Sequence, residues 1–249
     1  MTAFFLAVDT SGETGSVALA QQSGPETMRP LGERPLPGRA HSVMLLPAIA
    51  GLLQEHSLTL ASVDAFAVVR GPGSFTGLRV GLSAVKGLAE VTGKPVLALS
   101  RLAVLASMRP EVPLVHAVFN AGRGEFYHGV YRDAGRECVR ESVETADALR
   151  AALLTARPSA KTPESGTPWL LAGPTAANAL TTLLRDQVPL LGGILALRPT
   201  AQDAFPLALW CWREKRFADV ATLDANYLRR SDAELFSLPH LAAAHPQAR

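Results

Sequence analysis

The sequence has little of what several large protein classes require. Its 249 residues include two cysteines, Cys138 and Cys211, far apart and outside any CxxC pair. That argues against a disulfide framework or a cysteine-rich zinc site and points to a reducing cytosol. Charge of one sign is also missing, since 24 Lys and Arg against 22 Asp and Glu leave a net +2. A chain so balanced does not hold nucleic acid alone through a broad basic surface, although it can join a complex whose other members supply one. No apolar run approaches the ~18 residues of a membrane span. The stretch Ala3–Val8 is too short for a signal-peptide core, and no basic residue precedes it. The expectation is a cytoplasmic protein without a membrane partner. Among the six histidines, His41, His56, His116, His128, His240 and His245, no two stand at helical metal spacing. Neither HExxH nor GxSxG occurs, so the zinc-protease and serine-hydrolase signatures are absent.

What is present is a globular composition, 48% hydrophobic and 18% charged, long enough for a substantial core. Phe4–Val8 reads as a buried strand, and the polar turn Asp9-Thr10-Ser11-Gly12 leads to a second at Gly15–Ala20, an antiparallel hairpin. Met28–Leu36 reads as a third strand, confined to an edge by Pro30 and Pro35. Ser42–Glu55 has helical apolar spacing at Val43, Leu46, Ile49, Ala50 and Leu53. Ala65–Val69 is a strand, Thr76–Thr92 a helix ended by Gly93-Lys94-Pro95, and Val96–Leu99 another strand. A second half starts similarly, with strands at Leu114–Phe119, Phe126–Tyr131 and Glu137–Ser142 and a helix at Ala146–Thr155. Strand Trp169–Ala172, helix Ala176–Arg185 and strand Ile194–Leu197 follow, then a helix at Ala204–Lys215.

An antiparallel meander followed by right-handed strand–helix–strand crossovers, used twice, is the plan of the actin-like ATPase fold. The expected division is an N-terminal lobe over 1–103, completed by a returning helix around 204–216, and a smaller C-terminal lobe over 104–203. An extension covers 217–249. The polar stretch Ala156–Thr167 reads as a surface loop and Ala242–Arg249 as a loose tail.

Two turns carry candidate chemistry. A hairpin bearing Asp9, Thr10 and Ser11 can hold a phosphate or a magnesium-bound water, or it can be a polar turn capped by Asp9. The loop Gly71-Pro72-Gly73-Ser74-Phe75-Thr76-Gly77 follows a strand and opens a helix, so it presents N–H groups to an anion or makes a sharp turn with Ser74 or Thr76 as cap. No Lys-Ser/Thr pair follows the glycines, and their spacing is one residue too long for a dinucleotide fingerprint. In the helix beyond, Gly77, Gly81 and Ala84 share one face. Glycines inside a helix cost roughly 1 kcal/mol each against alanine, so a backbone must approach there. Either the helix at Ser42–Glu55 or a partner's helix could supply it. His41, just before a helix, reads as a cap or surface group.

Four stretches resemble one family in sequence and order: AVDTSGETGSVAL (Ala7–Leu19), RAHSVMLLPAI (Arg39–Ile49), RGPGSFTGLRVGLSAVKGLA (Arg70–Ala89) and KPVLALS (Lys94–Ser100). This is the TsaB (YeaZ) family, the dimerisation subunit of the bacterial tRNA threonylcarbamoyladenosine synthesis complex. NAGRGEFYHGVY (Asn120–Tyr131) and ANYLRR (Ala225–Arg230) are similar to its later motifs. The resemblance implies a two-lobed α/β fold of the actin-like ATPase (ASKHA, ribonuclease H-like) type, each lobe a mixed sheet flanked by helices. It also implies a subunit that is no enzyme by itself. Its partners would be a catalytic TsaD-type paralogue and a TsaE-type ATPase, with tRNA met only through the complex and a homodimer formed in isolation. The implied partner surface draws on His41, Leu45, Leu46 and Ile49 of the first helix and on Gly77, Leu78, Gly81, Ala84, Val85 and Leu88 of the second. On that resemblance the partner reading of the small-residue face is favoured.

No cofactor is required in this role, while weak ATP or ADP with magnesium could sit at the lobe cleft or subunit interface. Asp9, Thr10, Ser11, Gly73 and Ser74 are the residues to hold it. The paralogue's metal-binding His-x-x-x-His helix is replaced here by Ser100-Arg101-Leu102-Ala103-Val104-Leu105, and neither Arg nor Leu can ligate a metal. Asn120 stands where the family often has Asp, and an amide is neither base nor good magnesium ligand. The alternative is a stand-alone small-molecule kinase or ATPase of the same fold, with Gly173 or Gly192-Gly193 as nucleotide contacts. A metalloprotease reading lacks paired histidines.

Overall fold

A computed structural model describes residues 2–37, 40–155, 169–184 and 193–228. The expected surface loop at 156–167, the tail at 242–249, Gly192 and the last two residues of ANYLRR lie outside them.

The first five strands, β1 (Phe4–Asp9), β2 (Gly15–Gln22), β3 (Met28–Leu36), β4 (Ala65–Val69) and β5 (Val96–Leu99), form one sheet in the order β3-β2-β1-β4-β5. The second sheet comprises β6 (Val115–Gly122), β7 (Glu125–Arg132), β8 (Glu137–Thr145), β9 (Trp169–Ala172) and β10 (Ile194–Ala196), in the order β10-β9-β6-β7-β8. In each, the first three strands pair antiparallel and the next two parallel. The chain therefore uses one plan twice, and this is the two-lobed actin-like ATPase fold.

β1 is buried along almost its whole length because it sits mid-sheet with helices on both faces, which is why it reads as an uninterrupted apolar run. Its residues still alternate. Leu6 and Val8 join β2, β4 and the helices α1 (His41–Glu55) and α2 (Phe75–Thr92) in one core. Phe5 and Ala7 enter another, shared with α3 (Arg101–Ser107), α6 (Phe205–Arg213) and the inner face of the second sheet. The outer face of that sheet packs on α4 (Ala146–Thr155) and α5 (Pro174–Leu183). β3 is an edge strand, as Pro30 and Pro35 require.

Helix α3 is missing from the element reading of the sequence. Every residue from Leu102 to Ser107 is buried between the two sheets, so from Leu102 on the helix is buried all round and, with β5, makes the run VLALSRLAVLA, interrupted only by Ser100 and Arg101. Periodicity cannot divide such a run. The boundary is set by Ser100, whose hydroxyl accepts from the Leu102 N–H. No helix among the described residues is long and apolar enough to cross a membrane.

Candidate functional site

The β1–β2 turn and the start of α2 form a single packed unit. Ser11 donates both its N–H, at 2.8 Å, and its hydroxyl, at 2.5 Å, to Oδ1 of Asp9. The Thr10 hydroxyl donates to the Gly77 carbonyl at 2.7 Å, and the Ser74 N–H donates to the Ser11 carbonyl at 2.8 Å. Ser74 also caps α2 by accepting from the Gly77 N–H. A Cβ at Gly73 would lie 2.1 Å from the Ser11 carbonyl oxygen, at Gly77 2.1 Å from that of Thr10, and at Gly81 2.2 Å from the Thr10 hydroxyl. The glycines exist because this turn rests on them.

That corrects the reading of the small-residue face. Gly77 and Gly81 are covered by the chain's own β1–β2 turn, not by α1 and not by a partner. Of the residues nominated as partner-binding, His41, Leu45, Ile49, Gly77, Leu78, Gly81 and Val85 are all buried within the chain. Ala84 and Leu88 are half-buried, and Leu46 is exposed. His41 is likewise no cap or surface group. It is 5% exposed, with its Nε2 enclosed and without a hydrogen-bond partner, and that atom lies 3.1 Å from where a Gly15 Cβ would be.

The outward surface of the same two helices has a different set of residues. On α1, Val43 (71% exposed), Met44 (43%), Leu46 (54%), Pro47 and Ala50 face solvent, and no charged residue occurs between His41 and Gln54. Val43, Leu46, Pro47 and Ala50 fall on one stripe at helical spacing. On α2 the corresponding stripe is Val80, Ala84, Gly87 and Val91, of which Val80 and Ala84 are half-buried against the core beneath and Gly87 and Val91 are exposed, Val91 strongly. A solvent-facing helix without charge over three turns is an unusual surface for a chain that stands alone.

Between the lobes lies a cleft of about 580 Å³, lined among others by Ser11, Gly73, Ser74, Arg101, Phe119 and Gly173. Of the residues nominated to hold a nucleotide, Gly73 and Ser74 line it, as does Ser11 although it is 1% exposed, whereas Asp9 and Thr10, 4% and 1% exposed, are turned into the packed unit. Gly173 lines it, while Gly193 instead abuts Trp169. The sequence reading missed Arg101. Its guanidinium stacks 3.9 Å over the Phe119 ring of the other lobe, and burial lowers its pKa against the opposing pull of Asp9, Tyr127 and Glu13. A lone cation in the eleven-residue stretch 96–106, otherwise apolar but for Ser100, was the signal available. Asn120 lies at the cleft, with its side-chain oxygen accepting from the Gly122 N–H at 2.6 Å.

A second unforeseen cluster clasps the lobes. The Glu141 carboxylate on β8 accepts from the Ser100 and Tyr131 hydroxyls and, at 2.7 Å, from the Asn226 amide. Burial and then the Glu141 charge push the Tyr131 phenol well above its ordinary range, so it remains a donor. The Asn226 N–H donates to the Arg70 carbonyl, which ties the 217–228 segment to the loop before α2.

His116 and His128, on adjacent strands, face each other through Nδ1 and Nε2 at 2.9 Å. Burial, with Arg140 adding, lowers His116 to about 4. Burial, then His116 and Arg140, lowers His128 to about 3. Unfolded, each titrates near 6.5. The unfolded chain thus binds more protons in the interval below 6.5, so the stability from neutral burial is full above pH 6.5 and is lost as pH falls through 4. Thermal melts should show that loss, and His116→Gln should flatten it by roughly 2 kcal/mol between pH 6.5 and 4. An equally steep fall in the variant would refute the assignment. Among the described residues no group of three or more His, Cys, Asp or Glu could hold a metal.

Comparison with known proteins gives a consistent picture. Residues 35–178 match the family described as TsaD, tRNA N6-adenosine threonylcarbamoyltransferase. The tRNA threonylcarbamoyladenosine biosynthesis protein TsaB of Escherichia coli K12 is 30% identical over 234 residues, covering 92% of this chain and 95% of that protein. In structure, YeaZ from Pseudomonas aeruginosa superposes with a TM-score of 0.69 at 28% identity, covering 90% of this chain and 99% of that one. A further Pseudomonas aeruginosa protein, described as similar to the peptidase YeaZ, gives 0.71 at 30% identity, covering 91% and 100%.

Proposed function

Because the chain belongs to the TsaB (YeaZ) family of tRNA threonylcarbamoyladenosine biosynthesis proteins, we propose that it serves that pathway as a non-catalytic subunit. In this reading it binds and activates a TsaD-type paralogue, which transfers the threonylcarbamoyl group to N6 of the tRNA adenosine 3′ of the anticodon. The observation that carries the proposal is the uncharged, solvent-facing stripe of α1, with Val43, Leu46, Pro47 and Ala50 beside the Val80, Ala84, Gly87 and Val91 stripe of α2. Two contacting helices whose apolar stripes include the small residues Ala50, Ala84 and Gly87 can accept a helix pair of the same kind, which a paralogue of like fold can supply.

The chain's part is then energetic. Docking on the two helices favours one arrangement of the catalytic subunit, a coupling free energy and not a chemical step. Support for the non-catalytic role comes from α3, which offers Arg101 to the cleft and buries Leu105, neither of them able to bind a metal or take a proton at neutral pH. In the absence of the paralogue the same face pairs two copies of this chain. A TsaE-type ATPase and the tRNA join through the complex. Depleting the protein should lower threonylcarbamoyladenosine in tRNA, as read by mass spectrometry of digested tRNA. Unchanged modification would overturn the reading.

A further inference from the structure

The motif stretch Ala225–Leu228 belongs neither to the outward stripes of α1 and α2 nor to the lining of the cleft. It ends a strap, residues 217–228, that runs antiparallel to α2. The Ala218 N–H bonds to the Val96 carbonyl at 2.8 Å, Leu223 is buried in the core that α2 shares with the first sheet, and Lys86 of α2 donates to the Leu223 carbonyl at 3.1 Å. The far end of the strap is stiff. The Tyr227 N–H bonds to the Ala225 carbonyl at 3.0 Å and the Leu228 N–H to the Asn226 carbonyl at 3.1 Å, two consecutive γ-turns centred on Asn226 and Tyr227.

Those two residues hold different parts of the molecule. The Asn226 side-chain amide donates at 2.7 Å to Oε2 of Glu141, on β8 of the second lobe, and its N–H donates at 2.7 Å to the Arg70 carbonyl, at the loop before α2. The Tyr227 ring lies 5.3 Å from the Phe75 ring in the first turn of α2, and its hydroxyl accepts from Nε of Arg79 at 3.2 Å. Arg79 in turn places its guanidinium carbon 3.7 Å from the centre of the Phe75 ring. The outward stripe of α2 begins at the next residue, Val80. Glu141 is itself fixed, since its Oε1 accepts from the Ser100 and Tyr131 hydroxyls. A line of direct contacts thus joins the second lobe to the start of α2.

We propose that Asn226 and Tyr227 are positioning residues, a clamp through which the second lobe fixes the first turn of α2 and with it the docking face. The docking part of this rests on the partner reading of that face. A hydrogen bond from an amide to a carboxylate is charge-assisted and so among the stronger ones available. Backbone already closed in γ-turns passes a displacement on to Tyr227 and does not absorb it. With the turn held in place before the partner arrives, less ordering is left to do on association.

The test exchanges donor and acceptor. Glu141→Gln keeps Oε1 for Ser100 and Tyr131 but sets a second amide against that of Asn226. Asn226→Asp sets a second carboxylate against Glu141. The double variant Glu141→Gln/Asn226→Asp again has one donor and one acceptor, at nearly unchanged volume. Hydrogen exchange in the free chain reads the amides of Ser74, Gly77 and Leu78, and calorimetry reads binding to a TsaD-type paralogue. Each single variant should speed that exchange about tenfold and weaken binding about threefold to tenfold, and the double variant should restore both. Tyr227→Leu should act like the single variants and gain nothing from Glu141→Gln. The proposal is overturned if the single variants exchange like wild type, or if the double variant is no better than the single ones. It is overturned too if exchange changes while binding does not, in a chain whose Leu46→Asp variant does lose binding. Should Leu46→Asp bind normally, the docking face is misplaced, and the exchange measurement alone decides on the clamp. A single variant that fails to fold supports the clamp if the double variant folds and counts against it otherwise.

Discussion

Gly77→Ala should lower the stability of the chain by about 4 kcal/mol, seen as a fall in Tm of about 8–16 °C. The added Cβ would lie 2.1 Å from the carbonyl oxygen of Thr10, and that neighbour is backbone, which cannot swing aside. The helix must retreat from the β1–β2 turn. Retreat breaks the hydrogen bond from the Thr10 hydroxyl to the Gly77 carbonyl and loosens that from the Ser74 N–H to the Ser11 carbonyl. Overpacking accounts for about 3 kcal/mol and the strained buried hydrogen bonds for about 1 more. Gly87→Ala is the internal control, since a Cβ there meets nothing within 4 Å. It should be neutral or slightly stabilising through helix propensity. Equal melting temperatures for wild type and Gly77→Ala would show that the turn does not rest on this glycine. By the same geometry a charge placed at Gly81 disturbs the fold, so it makes a poor probe of partner binding.

Leu46→Asp should weaken association with a TsaD-type paralogue about a hundredfold while leaving the melting temperature within a degree or two. Leu46 is exposed on the middle of the uncharged α1 stripe. In the free chain the new carboxylate remains in water, so folding is unaffected. In the docked state it must be desolvated against an apolar partner without a counter-charge, which accounts for about 2–3 kcal/mol. Val91→Asp on α2 tests the other stripe in the same way. Binding measured by calorimetry or interferometry reads the effect, and cells relying on Leu46→Asp should fall short of threonylcarbamoyladenosine. Undiminished affinity in both variants would remove the two-helix face from the interface.

Much of the fold was legible because its signals are local. Gly93 at φ 65° closes α2 in the left-handed conformation that glycine tolerates, and Ser74 caps its start. Pro30 and Pro35 confine β3 to an edge, and the repeated meander-then-crossover order announces two lobes of one plan. Helix α3 was not legible, because a segment buried on every side has no periodicity to display.

The site divided along a similar line. From RGPGSFTGLRVGLSAVKGLA the sequence alone determined a loop, a capped helix and a need for close approach at Gly77 and Gly81. It could not say what approaches, since a glycine marks missing volume and not the neighbour that fills it. Only the tertiary structure decided that the neighbour is Thr10 of the same chain, and that seven nominated contact residues point inward while Val43, Leu46, Pro47, Ala50 and Val91 face solvent. The same holds for Arg101 and Phe119. They are eighteen residues apart in sequence and stack only because α3 carries one lobe against the other. Burial, and hence which apolar residues are core and which are surface, depends on the packing of whole layers, and no window of sequence contains it.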